Sequence, residues 1–82
     1  ANVTLYSTLG CQYCLLAKHY FKQKNVAFTE EDVTSNPTKM EELIAKTGQN
    51  ISPVILIEQD GKENYLPGFD KGKIDELLGI ID

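Results

Sequence analysis

The sequence predicts an α/β fold in which a four-stranded mixed sheet is flanked by three helices. Strand-like and helix-like hydrophobic periodicities follow each other in the order β-α-β-α-β-β-α. Residues 54–57 form a continuous apolar run, which is typical of a central strand covered on both faces. Asp60-Gly61 is a strong hairpin turn signal, so the last two strands are expected to be antiparallel, whereas crossover helices join the early strands.

The first strand and the first helix are expected to meet at a short loop. Residues 3–6 alternate apolar and polar side chains and favour a strand, and residues 7–10 are typical of a loop. A helix is expected from Tyr13 to about Lys24, because apolar residues recur at helical spacing with lysines between them. The residues expected on its apolar face are Leu15, Leu16, Tyr20 and Phe21.

A second strand and a second helix follow. Residues 26–29 favour a strand that leads into the acidic residues 30–32, which are expected to be its solvated end. Asn36 is the predicted N-cap of the helix, with Pro37 at its first position and Gly48 as its left-handed C-cap. The buried face of this helix is expected to comprise Met40, Leu43 and Ile44.

The last part of the chain completes the sheet and adds a third helix. Residues 63–66 are expected to return from the hairpin turn as an antiparallel edge strand. Asp70 is the predicted N-cap of the final helix, and Gly79 marks its end. Phe69 and Ile74 have the spacing of a hydrophobic staple at the start of that helix.

Length and charge limit the classes of function. The chain has 82 residues, which predicts a single domain over residues 1–82. Its formal net charge is -4 and its lysines are dispersed, so a nucleic-acid role has no electrostatic basis, and an acidic surface repels anionic membranes. The longest apolar run, residues 54–57, is too short to span a bilayer. We therefore expect a monomer of the reducing cytoplasm that binds neither nucleic acid nor membranes.

The chain has two cysteines, Cys11 and Cys14, which lie between the first strand and the first helix. A cysteine at a helix N-terminus is close to unpaired N–H groups and to the positive end of the helix dipole, which favours its thiolate, the attacking species in disulfide exchange. A structural bridge closing so short a loop would constrain the unfolded chain very little. A closed zinc site needs four ligands, and the chain adds only His19 and carboxylates to the two sulfurs. The pattern therefore favours a redox-active pair.

Four segments together resemble the thioredoxin-fold redox proteins, and specifically the small glutaredoxins. These segments are Val3-Thr4-Leu5-Tyr6-Ser7, Cys11-Gln12-Tyr13-Cys14, Ile51-Ser52-Pro53-Val54 and Pro67-Gly68-Phe69-Asp70-Lys71. A Cys-x-x-Cys between strand and helix, an X-Pro before an apolar strand and a later glycine loop form a specific combination. The resemblance covers essentially the whole chain and implies a thioredoxin fold with thiol-disulfide oxidoreductase activity.

The resemblance also implies roles for individual residues. Cys11 matches the exposed cysteine that attacks a substrate disulfide, and Cys14 matches the more buried partner that resolves the mixed disulfide. For a glutathione adduct, Cys11 alone is sufficient. Pro53 matches the cis-proline that faces the cysteines, where the backbone of Ser52 pairs with a bound peptide in strand fashion.

Glutathione is implied as a co-substrate, with no tightly bound cofactor and no metal. The residues implied to contact it are Tyr13, Ser52, Pro53, Gly68, Phe69 and Asp70. For Asp70, two roles are expected: binding the α-amino group of glutathione, or capping the last helix. The basic residue that glutaredoxins carry shortly before the first cysteine is absent from residues 7–10, which removes one source of thiolate stabilisation.

Two other functions stay open at this point. The Gly68-Phe69 loop also resembles that of redoxins that draw electrons from thioredoxin reductase and reduce ribonucleotide reductase. In an iron–sulfur cluster carrier, two protomers would each present Cys11, and glutathione thiols would complete four sulfur ligands. The implied partners are therefore glutathione, disulfide-containing or glutathionylated proteins, and a flavoprotein reductase.

Overall fold

A computed structural model describes residues 2–50 and 52–80. The elements along the chain are β1 (Asn2–Ser7), α1 (Gln12–Gln23), β2 (Thr29–Asp32), α2 (Pro37–Thr47), β3 (Val54–Gln59), β4 (Lys62–Pro67) and α3 (Lys71–Leu78). The strands form one sheet in the order β2-β1-β3-β4, in which β1 and β2 are parallel and the other neighbours are antiparallel. The predicted α/β fold with a mixed sheet is confirmed. Within the described residues, no helix has the length and apolar character needed to cross a membrane.

Helices cover both faces of the sheet, because its two central strands carry apolar side chains on both sides. On one face, Phe21 of α1 and Ile74 of α3 pack against Leu5 of β1 in one buried cluster. On the other face, Leu43 of α2 packs with Tyr6 of β1 in a second cluster. The sheet is therefore the middle of three layers. The helices pack on its faces, and the loops at one end of its strands are where a site can form.

β3 is the strand that contributes to both clusters. Ile55 and Ile57 belong to the cluster under α1 and α3, whereas Val54 and Leu56 belong to the cluster under α2. None of these four side chains is more than 4% exposed. The predicted burial of this strand on both faces is confirmed, and it places the segment just before β3 in the interior of the sheet.

The residues predicted to turn or cap the chain occupy their expected places. Asp60 and Gly61 have φ values of 54° and 72°, the left-handed conformations that a two-residue hairpin turn requires. Asn36 and Asp70 accept backbone N–H hydrogen bonds through their side chains at the starts of α2 and α3. Gly48 ends α2 with a φ of 72°.

The buried face of α1 differs from the expected one. Its buried residues are Cys14, Ala17, Tyr20 and Phe21. Leu15 and Leu16 are 62% and 52% exposed, so the prediction that they lie on the apolar face of the helix was wrong. At about 100° per residue, the four buried positions share one side of α1 and the two leucines lie on the other. The apolar pattern allowed more than one buried side, and packing on the sheet selected the side that contains Cys14.

β2 begins later than expected. The sequence predicted a strand starting at Val26, but the strand spans Thr29–Asp32 and all its side chains are exposed. The Val26 N–H donates to the Phe21 carbonyl at 2.8 Å, so the chain is still turning away from α1 at that point. The acidic residues 30–32 are the exposed last three positions of this short strand, as expected, and an edge strand tolerates them because charged side chains protect its open side.

Candidate active site at the start of helix α1

The two cysteines lie where the loop after β1 enters α1. Gly10 has a φ of 76°, a conformation that glycine adopts at no steric cost, so the chain turns immediately before Cys11. Cys11 is the N-cap of α1 and is half-buried, whereas Cys14, one turn further along, is 3% exposed. Their sulfur atoms form a disulfide, with 5.3 Å between the Cα atoms. A thiol or disulfide approaching from solvent therefore reaches Cys11 before Cys14.

The start of α1 favours negative charge on the Cys11 sulfur. The Cys14 N–H donates to Cys11 Sγ at 3.1 Å, which is the hydrogen-bond pattern of an N-cap side chain. The first N–H groups of a helix lack partners within the helix, and the positive end of the helix dipole lies at the same place. Once the disulfide is reduced, these groups stabilise a Cys11 thiolate more than a thiol.

Ser52 lies against both sulfur atoms. Its hydroxyl donates to Cys11 Sγ at 3.2 Å, and its Oγ lies 3.7 Å from Cys14 Sγ. The Ser52–Pro53 peptide bond is cis, as the resemblance implied, and Pro53 is fully buried. Ile51, which also belongs to this segment of the resemblance, lies outside the described residues. The side chain before the proline thus contacts the cysteines in its own right.

Thr8 is a site residue that the sequence analysis did not identify. Its Oγ1 lies 2.7 Å from Ser52 Oγ. β1 and β3 pair antiparallel with Tyr6 opposite Val54, and two further steps along that register place Thr8 opposite Ser52. Finding Thr8 would therefore have required the register between β1 and β3. These strands are distant in the chain, and the sequence alone does not specify how they pair.

A shallow pocket on the β2 side borders both cysteines, and its lining includes Lys18, Glu30 and Asp32. Parallel pairing places Ser7 at the end of β1 opposite Asp32 at the end of β2, so the acidic strand ends beside the site. Lys18 Nζ forms an ion pair with Glu30 Oε2 at 3.0 Å, and Ser7 Oγ donates to the same oxygen at 3.2 Å. Because the ammonium and the carboxylate offset each other, this pair adds little net charge next to the sulfurs.

The loop before Cys11 is attached to the segment that follows β2. The Leu9 N–H donates to Thr34 Oγ1 at 2.8 Å, and the Thr34 N–H donates to Asp32 Oδ1 at 2.8 Å. Hydrogen bonds from the backbone and side chain of Thr34 lower the pKa of the Asp32 carboxyl. These contacts hold the loop in place although the Leu9 side chain is 83% exposed.

An open cleft on the α3 side collects most of the residues implied to contact glutathione. Its lining comprises Tyr13, Ser52, Pro67, Gly68, Phe69, Asp70, Lys71 and Gly72. The Gly68 N–H donates to the Pro53 carbonyl at 2.7 Å, which holds this loop against the segment that carries Ser52. Asp70 Oδ1 accepts from the Lys73 N–H at 3.1 Å, so Asp70 caps α3, and its role toward glutathione stays a prediction.

Taken together, these side chains are suited to sulfur chemistry. One sulfur is accessible and accepts two hydrogen bonds, and the other is shielded beneath it. His19 lies on the exposed side of α1, away from the buried sulfur. In residues 2–50 and 52–80, no three His, Cys, Asp or Glu side chains are grouped so that they could hold a metal ion.

Comparison with known sequences identifies the family. The glutaredoxin family model matches residues 3–62. The chain is 38% identical over 81 residues to glutaredoxin 3 of Escherichia coli K12, an alignment that covers 95% of this chain and 98% of the relative. It is 37% identical over 76 residues to a Clostridium pasteurianum protein described as an uncharacterized glutaredoxin-like protein in the rubredoxin operon, with 93% and 96% of the two chains covered.

Comparison with solved structures agrees with this assignment. NrdH-redoxin of Escherichia coli superposes with a TM-score of 0.78 and 26% identity, over 94% of this chain and 95% of that one. It is described as a glutaredoxin-like protein with a thioredoxin-like activity profile. The fold, the Cys-x-x-Cys site and the sequence relatives lead to one conclusion. The chain belongs to the glutaredoxin family, whose general activity is thiol-disulfide oxidoreduction.

Proposed function

We propose that this protein reduces protein disulfides and glutathione mixed disulfides in the cytoplasm, with glutathione as its electron donor. The observation that carries the proposal is the asymmetry of the two sulfurs. Cys11 is half-buried at the N-cap of α1 and accepts two hydrogen bonds, whereas Cys14 is shielded. Disulfide exchange needs one accessible thiol with a lowered pKa and one thiol that reacts only after a mixed disulfide has formed.

The first step is attack by the Cys11 thiolate on a substrate disulfide. A bond forms between Cys11 Sγ and one substrate sulfur, and the other substrate sulfur leaves as a thiolate that takes a proton from water. For a glutathione adduct, the glutathione sulfur is retained on Cys11. A second glutathione thiolate then attacks that sulfur, which gives glutathione disulfide and regenerates the Cys11 thiolate.

A protein disulfide follows a different second step. Cys14 loses its proton and attacks Cys11 Sγ, which releases the remaining substrate sulfur as a thiolate and leaves the Cys11–Cys14 disulfide. Two glutathione thiols then reduce this disulfide in sequence, and the products are glutathione disulfide and the reduced protein. Cys14 is therefore needed for protein disulfides and dispensable for glutathione adducts.

The cleft on the α3 side supports glutathione as the donor. It is continuous with Ser52, whose hydroxyl contacts Cys11, and it is bordered by the exposed ring of Tyr13. Lys71 and Gly72, at the start of α3, line the same cleft, and N–H groups at a helix N-terminus suit the carboxylate of the γ-glutamyl unit. Asp70 contributes a carboxylate for the neighbouring α-amino group.

The test is steady-state turnover of a glutathionylated peptide with glutathione, glutathione reductase and NADPH. We expect Cys11→Ser to fall to the uncatalysed background and Cys14→Ser to retain turnover, because Cys11 alone can carry the glutathionyl group. With a protein disulfide as substrate, both variants should fall to background. Wild-type turnover by Cys11→Ser would contradict the assignment of the attacking sulfur.

A second candidate is a redoxin that takes electrons from thioredoxin reductase and passes them to ribonucleotide reductase or a similar enzyme. Two observations favour it: residues 7–10 carry no basic side chain to bind a glutathione carboxylate, and Leu9 and Leu15 are 83% and 62% exposed in the pocket that borders Cys11. Exposed apolar side chains around a reactive group suit a protein partner better than a charged tripeptide.

The two candidates are separated by comparing kcat/KM for reduction of the Cys11–Cys14 disulfide by each donor. One reaction contains glutathione and glutathione reductase, and the other contains thioredoxin reductase alone, both with NADPH. Faster reduction by glutathione supports the first candidate. Faster reduction by the flavoprotein contradicts glutathione dependence and supports the second.

A further inference from the structure

The hydroxyl of Ser52 has three polar neighbours at hydrogen-bond distance. These are Cys11 Sγ at 3.2 Å, Thr8 Oγ1 at 2.7 Å and Cys14 Sγ at 3.7 Å. A serine hydroxyl has one proton to donate and two lone pairs that accept. The number of neighbours therefore equals the full hydrogen-bonding capacity of this side chain.

The direction of each bond follows from that inventory. In the reduced protein, a Cys11 thiolate has no proton and can only accept, so the single Ser52 proton is directed to it. Thr8 must then donate to Ser52 Oγ, which leaves one lone pair for a Cys14 S–H. The contact with Cys11 is strongest when Cys11 is ionised, because a thiolate is a better acceptor than a thiol, and the contact with Cys14 uses its S–H when Cys14 is protonated.

We propose that the Ser52 hydroxyl, oriented by Thr8, discriminates between the two sulfurs by donating to the Cys11 thiolate while accepting from the Cys14 thiol. The inference rests on the proposed role of Cys11 as the attacking sulfur. Ser52 touches the reacting sulfur directly, whereas Thr8 acts through Ser52 and is a positioning residue. The pair supplies a neutral donor where the loop of residues 7–10 supplies no cation.

Hydrogen bonds to ionised groups are stronger than hydrogen bonds to neutral ones. A disulfide sulfur is a weak neutral acceptor, so the contact from Ser52 contributes more when Cys11 is a thiolate than when it is oxidised. The Thr8–Ser52–Cys11 chain also polarises its members in one direction, which strengthens each bond. The hydroxyl pair therefore stabilises the reduced protein relative to the disulfide.

The charged groups around the site do not duplicate this role. On the β2 side, Lys18 is paired with Glu30, and Asp32 is hydrogen-bonded to Thr34. On the α3 side, Asp70 caps α3 and the Lys71 ammonium bonds to an Asp75 carboxylate. The hydrogen bonds that reach Cys11 Sγ within the described residues come from the Cys14 N–H and from Ser52.

The experiment measures the ionisation midpoint of Cys11 from the pH dependence of its alkylation by iodoacetamide, in a Cys14→Ser background so that one thiol titrates. We expect Ser52→Ala to raise the midpoint by about one pH unit, a tenfold change in the ionisation constant. Ser52→Thr keeps the hydroxyl and should keep the midpoint. Thr8→Val should raise the midpoint by a smaller amount, since it removes only the orienting partner.

The reduction potential of the protein with both cysteines gives an independent readout. Because the hydroxyl stabilises the reduced state, Ser52→Ala should make the potential more negative. A tenfold change in the exchange equilibrium corresponds to about 30 mV. Ser35→Ala removes a hydroxyl from an exposed position and should change neither quantity.

Two results would overturn the proposal: an unchanged midpoint in Ser52→Ala, or an equal rise in Ser52→Thr and Ser52→Ala. If Ser52→Ala does not fold by circular dichroism, Thr8→Val decides, and an unchanged midpoint in that variant overturns the proposal. The midpoint is measured without any disulfide substrate. A failure here is therefore distinguishable from failure of the proposed function, which would appear as turnover by Cys11→Ser.

Discussion

Both sides of α1 carry apolar residues, but the two sides have opposite surroundings. On the inward side, Ala17 and Phe21 are fully buried against the sheet, and Cys14 lies at the end of the same row. On the outward side, Leu15 and Leu16 are mostly exposed. Apolar residues on one helix thus have two different environments: the buried ones pack beneath the shielded sulfur, and of the two exposed leucines Leu15 lines the pocket that borders the accessible sulfur.

The largest expected effect is a difference in the free energy of unfolding between substitutions on the buried and the exposed side of α1. Phe21→Ala removes a fully buried ring from the cluster that joins α1 to the sheet, and should lower the free energy of unfolding by about 3–5 kcal/mol. Leu16→Ala removes an exposed side chain and should change it by at most about 0.5 kcal/mol. Urea denaturation of both variants checks this, and equal losses would show that Leu16 is part of the core.

A smaller effect is expected on kcat/KM for a protein disulfide substrate when the exposed leucines near Cys11 are replaced. Leu9→Ser combined with Leu15→Ser should lower kcat/KM for a protein disulfide about tenfold, because the apolar contact with the partner is lost. Turnover of a small glutathionylated peptide should change little. Leu16→Ser is a matched control, since this leucine is exposed but does not line the pocket beside Cys11. Equal losses with both substrates would contradict a docking role for the two leucines.

The smallest effect is expected on the free energy of unfolding when the ion pair of a residue between the buried and exposed sides of α1 is removed. Lys18 is a half-buried residue of α1 that pairs with Glu30 of β2 at 3.0 Å. Lys18→Met should lower the free energy of unfolding by less than about 1 kcal/mol, because a partly exposed ion pair contributes little. The difference from wild type should shrink at high salt, where screening weakens the pair. Lys22→Met, at an exposed position of the same helix, is the control, and a larger loss at high salt would contradict the electrostatic cause.

Signals confined to a few neighbouring residues predicted most of the fold. Asn36 and Asp70 were expected to cap helices and Asp60-Gly61 to turn a hairpin, and each does so through hydrogen bonds or φ values that depend on adjacent residues. The run at residues 54–57 was expected to be buried on both faces, and it is. Near the site, the position of two cysteines between strand and helix was sufficient to indicate redox chemistry.

Other features of the molecule depended on contacts between distant parts of the chain. The buried side of α1 and the start of β2 were set by packing on the sheet and by strand register. Thr8 and Ser52 are 44 residues apart, and the antiparallel register of β1 and β3 is what brings their hydroxyls together. Lys18 and Glu30 meet because α1 lies beside the edge strand. Local periodicity and capping preferences carry no information about register, so these contacts, and the environment of the Cys11 sulfur, are defined only when the sheet has formed.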